Sequence, residues 1–223
     1  LLSAKPSETA HAVHRVYEEY TALKFAHFGL CSQLFDTMAQ LVTPGEDAIR
    51  IVNGLDPDGL HRLAVRLSEA TSGLCAALTP TDKGTGYCLA QAGGDVRALT
   101  KALNAALNGR GGGKPGICQG SCAAEPEQVK EFLLYHIVKG KYTFTNLPAE
   151  PTWFETVATA DTAKINMYLL KDRNPNIVFN NFDGHYKSSI KPRTSNLYNS
   201  DGSYMHVLDS WLDRPTKEQL NMK

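Results

Sequence analysis

Residues 109–122 read GRGGGKPGICQGSC, and this glycine-rich stretch says more about the fold and the function than any other part of the chain. Glycine has no Cβ, so its backbone can approach a partner closely and can adopt positive φ values. Successive N–H groups in a turn of this kind can bind an anion, and Arg110 and Lys114 add positive charge. We therefore predict a glycine turn that presents its backbone to a partner, with a flexible surface loop as the alternative.

The spacing excludes a P-loop of the nucleotide hydrolases. That motif has a glycine five residues before its Gly-Lys pair and Ser or Thr after the lysine, whereas Asn108 and Pro115 occupy those positions here. The turn follows a predicted helix over 95–108, which places it at the negative end of the helix dipole. A phosphate bound there would depend on the amides of the turn and on the two cations.

Charge and hydropathy narrow the class of protein. The 223 residues carry 23 basic and 23 acidic side chains, so any contact with nucleic acid is expected to be local and sensitive to salt. No apolar run approaches the roughly 18 residues that span a bilayer, so we expect no membrane association. The first residues, LLSAKPSETAH, lack the basic and apolar regions of a secretory signal.

Five cysteines lie before residue 123 and none follows. An odd number without the spacing of a disulfide framework favours reduced thiols and a cytoplasmic protein. Cys118 and Cys122 are four residues apart, and the sequence gives them no matching Cys/His pair nearby. We interpret them as packing residues and predict neither a metal site nor a cofactor.

The order of elements predicts an α+β protein with three parts: a helical arm (1–45), a small mixed-sheet α/β domain (46–132) and a strand-rich second segment (133–223). The predicted elements of the first two parts are a helix over 6–42, a strand over 48–55, a helix from an Asp56 cap to Gly73, a hairpin LCAALTP/TGYCLAQAG, the helix 95–108, a strand ICQGSC and a helix PEQVKEFL. In the second segment we predict strands in YHIVKGKYTF, AKINMYLLK, PNIVFNNFDGHYKSS (with a turn at Asp183-Gly184) and SYMHVLDSWLDRP.

The long helix carries an apolar seam with alternating steps of three and four residues, which is the spacing of a coiled coil. Its members are Val13, Val16, Tyr20, Leu23, His27, Leu30, Leu34, Met38 and Leu41. The seam predicts either a homodimer through residues 13–41 or packing on the chain's own domain.

Three segments together resemble the C-terminal part of the alanyl-tRNA editing proteins and of alanyl-tRNA synthetase: LLSAKPSETAHAVHRVYEEYTALK, NGLDPDGLHRLAVRLSEA and NGRGGGKPGICQGSCAAEPEQVKEFL. The resemblance covers about residues 1–132 and points to the DHH-associated domain with its helical arm. It implies a tRNA-binding and dimerisation module. In that family editing is carried out by a separate upstream zinc domain, whose His-x3-His and Cys-x3-His ligand pairs this sequence lacks. We therefore expect no catalysis here, although the parent would be an aminoacyl-tRNA hydrolase or an alanine-tRNA ligase.

The resemblance identifies the candidate contact residues for nucleic acid. They are Gly109, Arg110, Gly111, Gly112, Gly113, Lys114 and Pro115, with Gln119 and Gly120 beyond them. Further candidate phosphate contacts are Arg62 with Arg66, one turn apart on a predicted helix, and Arg97 with Lys101 on another. An ordinary solvated helix face is the alternative reading of these four.

The second segment resembles a different family. LLYHIVKGKYT and SDGSYMHVLDSWLDRP are similar to the two signature boxes in the second half of a fasciclin domain. That resemblance implies an extracellular or periplasmic adhesion module, which conflicts with a cytoplasmic tRNA-binding module. His136, His206 and Asp209 fall in these boxes, and we interpret them as structural. Two alternatives to the tRNA module remain open: a fasciclin-type interaction module and the substrate-binding domain of a DHH phosphoesterase.

Overall fold

The computed structural model describes residues 8–160, 162–171, 176–182, 189–190, 197–198, 204–206 and 211–221. In chain order the elements of the first part are α1 (Thr9–Gln40), β1 (Ala48–Ile51), α2 (Pro57–Ala70), β2 (Cys75–Thr81), β3 (Gly84–Ala90), α3 (Arg97–Ala106), β4 (Arg110–Lys114), β5 (Ile117–Cys122) and α4 (Pro126–Tyr135). Those that follow are β6 (Thr152–Glu155), β7 (Lys164–Leu170), β8 (Asn176–Phe179), β9 (Ser189–Ile190), β10 (Leu197–Tyr198), β11 (Tyr204–Met205) and α5 (Lys217–Leu220). The predicted α+β class, with a long first helix, is confirmed.

The first sheet has five strands in the order β1-β2-β3-β5-β4. β1 pairs with β2 in parallel, and every other pair in this sheet is antiparallel. Parallel strands need a crossover connection, and α2 supplies it. The start of α2 is fixed by Asp56, whose Oδ1 accepts a 2.7 Å hydrogen bond from the N–H of Gly59, and by Pro57 in the first turn.

Helices cover both faces of this sheet. α2 packs on one face, where a core forms around Leu60, Leu63, Leu67, Cys75 and Cys88. On the other face α3 and α4 pack over Leu78, Tyr87, Leu89, Cys118 and Cys122. Because both faces are buried, the central strands β2 and β3 read as nearly continuous apolar runs rather than as alternating ones.

The C-terminal third of α1 packs on α2 through a face that the predicted seam does not describe. Phe35 is fully buried there, flanked by Cys31, Met38 and Val42. The seam members Val13, Val16, Tyr20, Leu23, Leu30, Leu34 and Leu41 are all exposed. The seam predicted either a homodimer or packing on the chain's own domain. Among the described contacts, Met38 is the one seam residue that packs on the domain core.

The second sheet is antiparallel, in the order β6-β7-β8-β9. One of its faces forms a separate core with Ile165, Met167, Leu169, Ile177 and Phe179. β10 and β11 form a two-stranded antiparallel pair of their own. The predicted strand in AKINMYLLK is confirmed as β7, whereas Asp183-Gly184 and Asp209 lie outside the described residues.

α4 belongs to both cores. Val129 and Leu133 are buried in the core of the first sheet, and Tyr135 is buried in that of the second. Arg214, near the end of the chain, forms a 2.9 Å ion pair with Glu131 of this helix. The two parts of the chain are therefore joined through a shared helix and not through an extended linker.

The predicted strand in YHIVKGKYTF is wrong. Tyr135 ends α4, and His136 caps the helix through a hydrogen bond from its N–H to the carbonyl oxygen of Leu133. Its ring contacts the helix again, with Nδ1 2.8 Å from the carbonyl oxygen of Phe132. The apolar residues that suggested a strand complete the last turn of a helix, and only Val138 forms an isolated bridge, to Thr156.

Candidate nucleic-acid interface

The glycine-rich segment is a strand and not a turn, which corrects the prediction. Residues 110–114 form β4, which pairs with β5 in an antiparallel hairpin and lies at the edge of the first sheet. The chain reverses at Pro115 and Gly116. All five residues of β4 are exposed. Glycine is a poor strand former, so the reason for this strand must lie in what surrounds it.

The inner face of β4 explains Gly111 and Gly113, because the neighbouring atoms leave no room for a side chain. A Cβ at Gly111 would overlap the carbonyl oxygen of Gln119 and would lie 2.9 Å from the hydroxyl of Tyr87. A Cβ at Gly113 would overlap the carbonyl oxygen of Ile117. Gly111 also has a φ of +152°, a value that side chains disfavour.

Tyr87 lies beneath this inner face and is fully buried. The pairing places it opposite Gly120, which in turn lies opposite Gly111, so the tyrosine ring crosses two glycines. Its hydroxyl donates a 2.6 Å hydrogen bond to Oδ1 of Asn104 on α3, and the Asn104 amide donates to the carbonyl oxygen of Gly111 at 3.3 Å. Burial raises the pKa of Tyr87 to about 12.

The outer face of β4 is open. Side chains alternate along a strand, so Arg110, Gly112 and Lys114 share the face opposite to Gly111. Apart from its two neighbours in the chain, no described residue has an atom within 4 Å of the position that a Cβ on Gly112 would take. On this face the row continues to Gln119 of β5, whose amide donates a 2.7 Å hydrogen bond to the carbonyl oxygen of Pro57 at the start of α2.

Arg110 differs from the other arginines of the described part of the chain. Arg15, Arg50, Arg62, Arg66, Arg97 and Arg214 each form a hydrogen bond or an ion pair. Arg110 is the one arginine among the described residues for which neither is found, and Lys114 likewise forms no ion pair with any described residue. The two cations therefore keep their full hydrogen-bonding capacity for a partner.

Arg62 and Arg66 lie elsewhere, between α2 and α1. The Arg62 guanidinium stacks 3.5 Å from the ring centroid of Phe28 and donates a 2.5 Å hydrogen bond to the hydroxyl of Ser32. Arg66 forms ion pairs with Asp36 at 3.0 Å and with Glu69 at 2.9 Å. The structure does not bring these two residues together with β4; it places them where they hold α1 against the domain.

The helix polarity at the glycine segment also needs correction. β4 begins at the C-terminus of α3, as predicted, where the N–H of Gly109 donates to the carbonyl oxygen of Asn104. It then runs back along α3, so that Pro115 lies at the N-terminus of the helix and accepts a 2.7 Å hydrogen bond from the N–H of Val96. Lys114 thus lies near the positive end of α3. Arg97, in the first turn of α3, pairs with Asp95 and lowers the pKa of that carboxyl.

Sequence reasoning missed Tyr87 and Asn104, which hold the glycine strand in place. One usable signal was the arrangement of glycines, since Gly111 and Gly120 face each other once the two segments pair.

Cys118 and Cys122 do share one face of β5 and are buried, as expected of packing residues. Within the described residues no group of three or more His, Cys, Asp or Glu side chains could hold a metal ion. The helices of the described residues all lack the length and hydropathy that crossing a membrane requires.

Comparison with known proteins identifies no family for this chain. No family model matches the chain, so neither the editing-protein resemblance nor the fasciclin resemblance has support from that side. No curated protein matches it either. Among solved structures, the chain matches the crystal structure of the C-Ala domain of Aquifex aeolicus alanyl-tRNA synthetase, with 16% sequence identity and a TM-score of 0.37. The match covers 41% of this chain and 92% of that chain.

Proposed function

We propose that this chain is a tRNA-binding module that contacts tRNA through the outer face of β4 and dimerises through α1. One observation carries the tRNA part of the proposal: Arg110 and Lys114 flank an open glycine on an exposed edge strand, and neither forms an ion pair with a described residue. Such a module would act in the cytoplasm, where proteins rarely contain disulfides, and none of the five cysteines is paired in a disulfide.

The spacing of the two cations fits a sugar-phosphate backbone. Four residues of strand separate Arg110 from Lys114 by about 13 Å, so they would contact different phosphates. Between them Gly112 leaves the strand backbone open to close approach. Contacts of this kind position a nucleic acid without reading its sequence, and the wide, shallow minor groove of an RNA helix is recognised in that manner.

The remaining candidate residues have a smaller part in the proposal. Gln119 fixes the outer face to α2 through its bond to Pro57, so we assign it a positioning role. Arg62 and Arg66 contribute charge at a distance, because α1 already takes up their hydrogen bonds. Pro115 and Gly116 close the hairpin that presents Lys114.

Dimerisation is proposed from the exposed seam. Six apolar members of the predicted seam are exposed on α1, among them Leu23 with 69% and Leu30 with 66% of the residue surface accessible. A row of exposed apolar side chains along one side of a helix, unlike apolar residues scattered singly, indicates an interaction surface. The seam has the spacing that a second helix of the same kind would cover.

A tRNA titration at two salt concentrations tests the first part. The variant Arg110→Gln with Lys114→Gln should bind about tenfold more weakly at low salt. It should also lose roughly two in the slope of log K against log salt concentration, because about one counterion is released per phosphate contact. Lys139→Gln, an exposed lysine distant in the chain and outside the first sheet, is the matched control and should leave binding unchanged.

Equal binding by the double variant and by the control would overturn the assignment of β4. Binding of a glycan or a matrix protein by the intact chain, with no binding of tRNA, would instead favour the fasciclin-type interaction module. Thermal unfolding of each variant shows whether a change in binding reflects a change in folding.

A further inference from the structure

The first two-thirds of α1 offer a helix surface that the domain leaves uncovered. From Val13 to Leu34 the seam alternates regularly between steps of three and four residues, and then the alternation breaks with a step of four to Met38. In heptad notation Val13, Tyr20, His27 and Leu34 occupy position a, and Val16, Leu23 and Leu30 occupy position d. All seven are exposed.

The domain packs on a different side of the same helix. Phe28 and Phe35 occupy position b of these heptads, and Cys31 occupies position e. A turn of 100° per residue places this side about 80° around the helix from the centre of the seam. A second helix can therefore cover the a and d positions while α2 keeps its own contact with α1.

We propose that two copies of the chain pair through α1 as a parallel, in-register coiled coil, with His27 facing His27 of the second copy, so that acid weakens their association. This inference rests on the proposed dimerisation through α1 and adds its orientation and its regulation.

Charge complementarity favours the parallel arrangement. In a parallel coiled coil each g position lies beside the e position five residues further along the second helix. Glu19 is at g and Lys24 is at e, so the parallel pair brings opposite charges together twice. In the described part of α1, Glu19 has only a long 3.9 Å contact with Arg15, and Lys24 forms no ion pair. An antiparallel pair aligns e with e and would not bring Glu19 to Lys24.

His27 makes the pairing sensitive to pH. Its ring is exposed in the single chain, with Nε2 lying 3.6 Å from the sulfur of Cys31. Lys24 precedes it on the same face, and the nearest cation of α2, Arg62, is held by Phe28 and Ser32. In the pair, His27 would face His27 and Lys24 of the second copy, with no carboxylate beside it. Imidazole gains its charge between about pH 8 and pH 5, and two charged rings at one a layer would repel each other.

Disulfide trapping tests the orientation. Val16→Cys and Leu23→Cys are made separately in a Cys31→Ser background; the other four cysteines are buried. Both positions should trap a covalent dimer under mild oxidation, because a parallel pair in register brings each d position to its own copy. In an antiparallel pair two positions about 10.5 Å apart along the helix cannot both meet their own copies. Trapping at only one position, or at neither, would overturn the parallel register.

Sedimentation equilibrium of the intact chain at pH 8 and pH 5.5 tests the regulation. The dissociation constant should rise by about tenfold at pH 5.5, and His27→Leu should bind more tightly and abolish the dependence. His14→Leu, which lies off the seam beside Glu18, should keep the pH dependence of the natural sequence. A dimer with no dependence on pH would overturn the inference and leave dimerisation standing. A monomer at both pH values would overturn the proposed dimerisation and the inference with it.

Discussion

Glycine occurs on both faces of β4, but for opposite reasons. On the inner face Gly111 and Gly113 are required because the backbone of β5 and the hydroxyl of Tyr87 occupy the space of a side chain. On the outer face a Cβ on Gly112 would contact no described residue beyond its chain neighbours, although Gly112 lies between the two free cations. The glycines of one motif therefore have two different explanations. Gly111 and Gly113 are explained by close packing, whereas Gly112 lies on an open surface.

The largest expected effect comes from filling the inner face. Gly111→Ala should lower the free energy of unfolding by about 3 kcal/mol, because its methyl group would overlap backbone atoms and its φ of +152° disfavours a side chain. Urea denaturation measures the loss. Equal losses in Gly111→Ala and Gly112→Ala would break the distinction between the two faces.

High pH should weaken the same inner face. Burial raises the pKa of Tyr87 to about 12, against about 10 in the unfolded chain. The folded state holds the phenolic proton of Tyr87 more tightly than the unfolded chain does. The contribution of Tyr87 to the free energy of unfolding is therefore complete below pH 10 and is lost as the pH rises from 10 to 12. Tyr87 should account for about 2 kcal/mol of the stability lost between pH 9 and pH 11.5.

Tyr87→Phe isolates that contribution from those of other groups, including Tyr135, whose pKa burial also raises to about 12. Between pH 9 and pH 11.5 the free energy of unfolding, measured by urea denaturation, should fall by about 2 kcal/mol less in this variant than in the unsubstituted chain. An identical loss in Tyr87→Phe and in the natural sequence would show that the hydroxyl is not buried under the strand.

At neutral pH the Tyr87→Phe variant tests the hydrogen bond to Asn104. Its removal leaves Oδ1 of Asn104 without this donor, and the free energy of unfolding should fall by about 1 kcal/mol. Tyr17→Phe, at an exposed position of α1, is the matched control and should not change stability. A loss as large in the control would assign the effect to the substitution itself.

The smallest effect on folding is expected at the outer face. Gly112→Val should change the free energy of unfolding by less than about 0.5 kcal/mol, because the side chain enters open space on an exposed edge strand. The same variant should weaken tRNA binding by roughly threefold, since its side chain would hold the backbone of the nucleic acid away from β4. Unchanged binding would show that close approach at Gly112 is not needed.

Local sequence signals predicted the elements whose ends are set by their own residues. Asp56 and Pro57 placed the start of α2, and the Thr-Asp-Lys-Gly turn between two apolar segments placed the β2–β3 hairpin. The same reasoning failed for YHIVKGKYTF, where apolar residues that suit a strand were used instead to close α4 and to fill the second core.

The candidate site was predicted by its residues but not by its form. Arg110 and Lys114 were identified from the sequence, yet a turn was expected where an edge strand is found. Glycine has little preference for a strand, so only pairing with β5 and contact with Asn104 give the segment its extended form. Arg62 and Arg66 had the same local appearance as a free basic face, and their partners on α1 are about 30 residues away in the chain.

The sequence by itself determined the fold class, the long first helix and the place where glycine and positive charge coincide, because these depend on composition and on short-range spacing. Tertiary structure alone decided which glycines are needed for packing, which cations remain free, and which side of α1 the domain covers. Those outcomes depend on contacts between residues far apart in the chain, such as Tyr87 with Asn104 and Phe35 with the core beneath α2. A local sequence pattern does not specify which distant residues will pack against it in the folded chain.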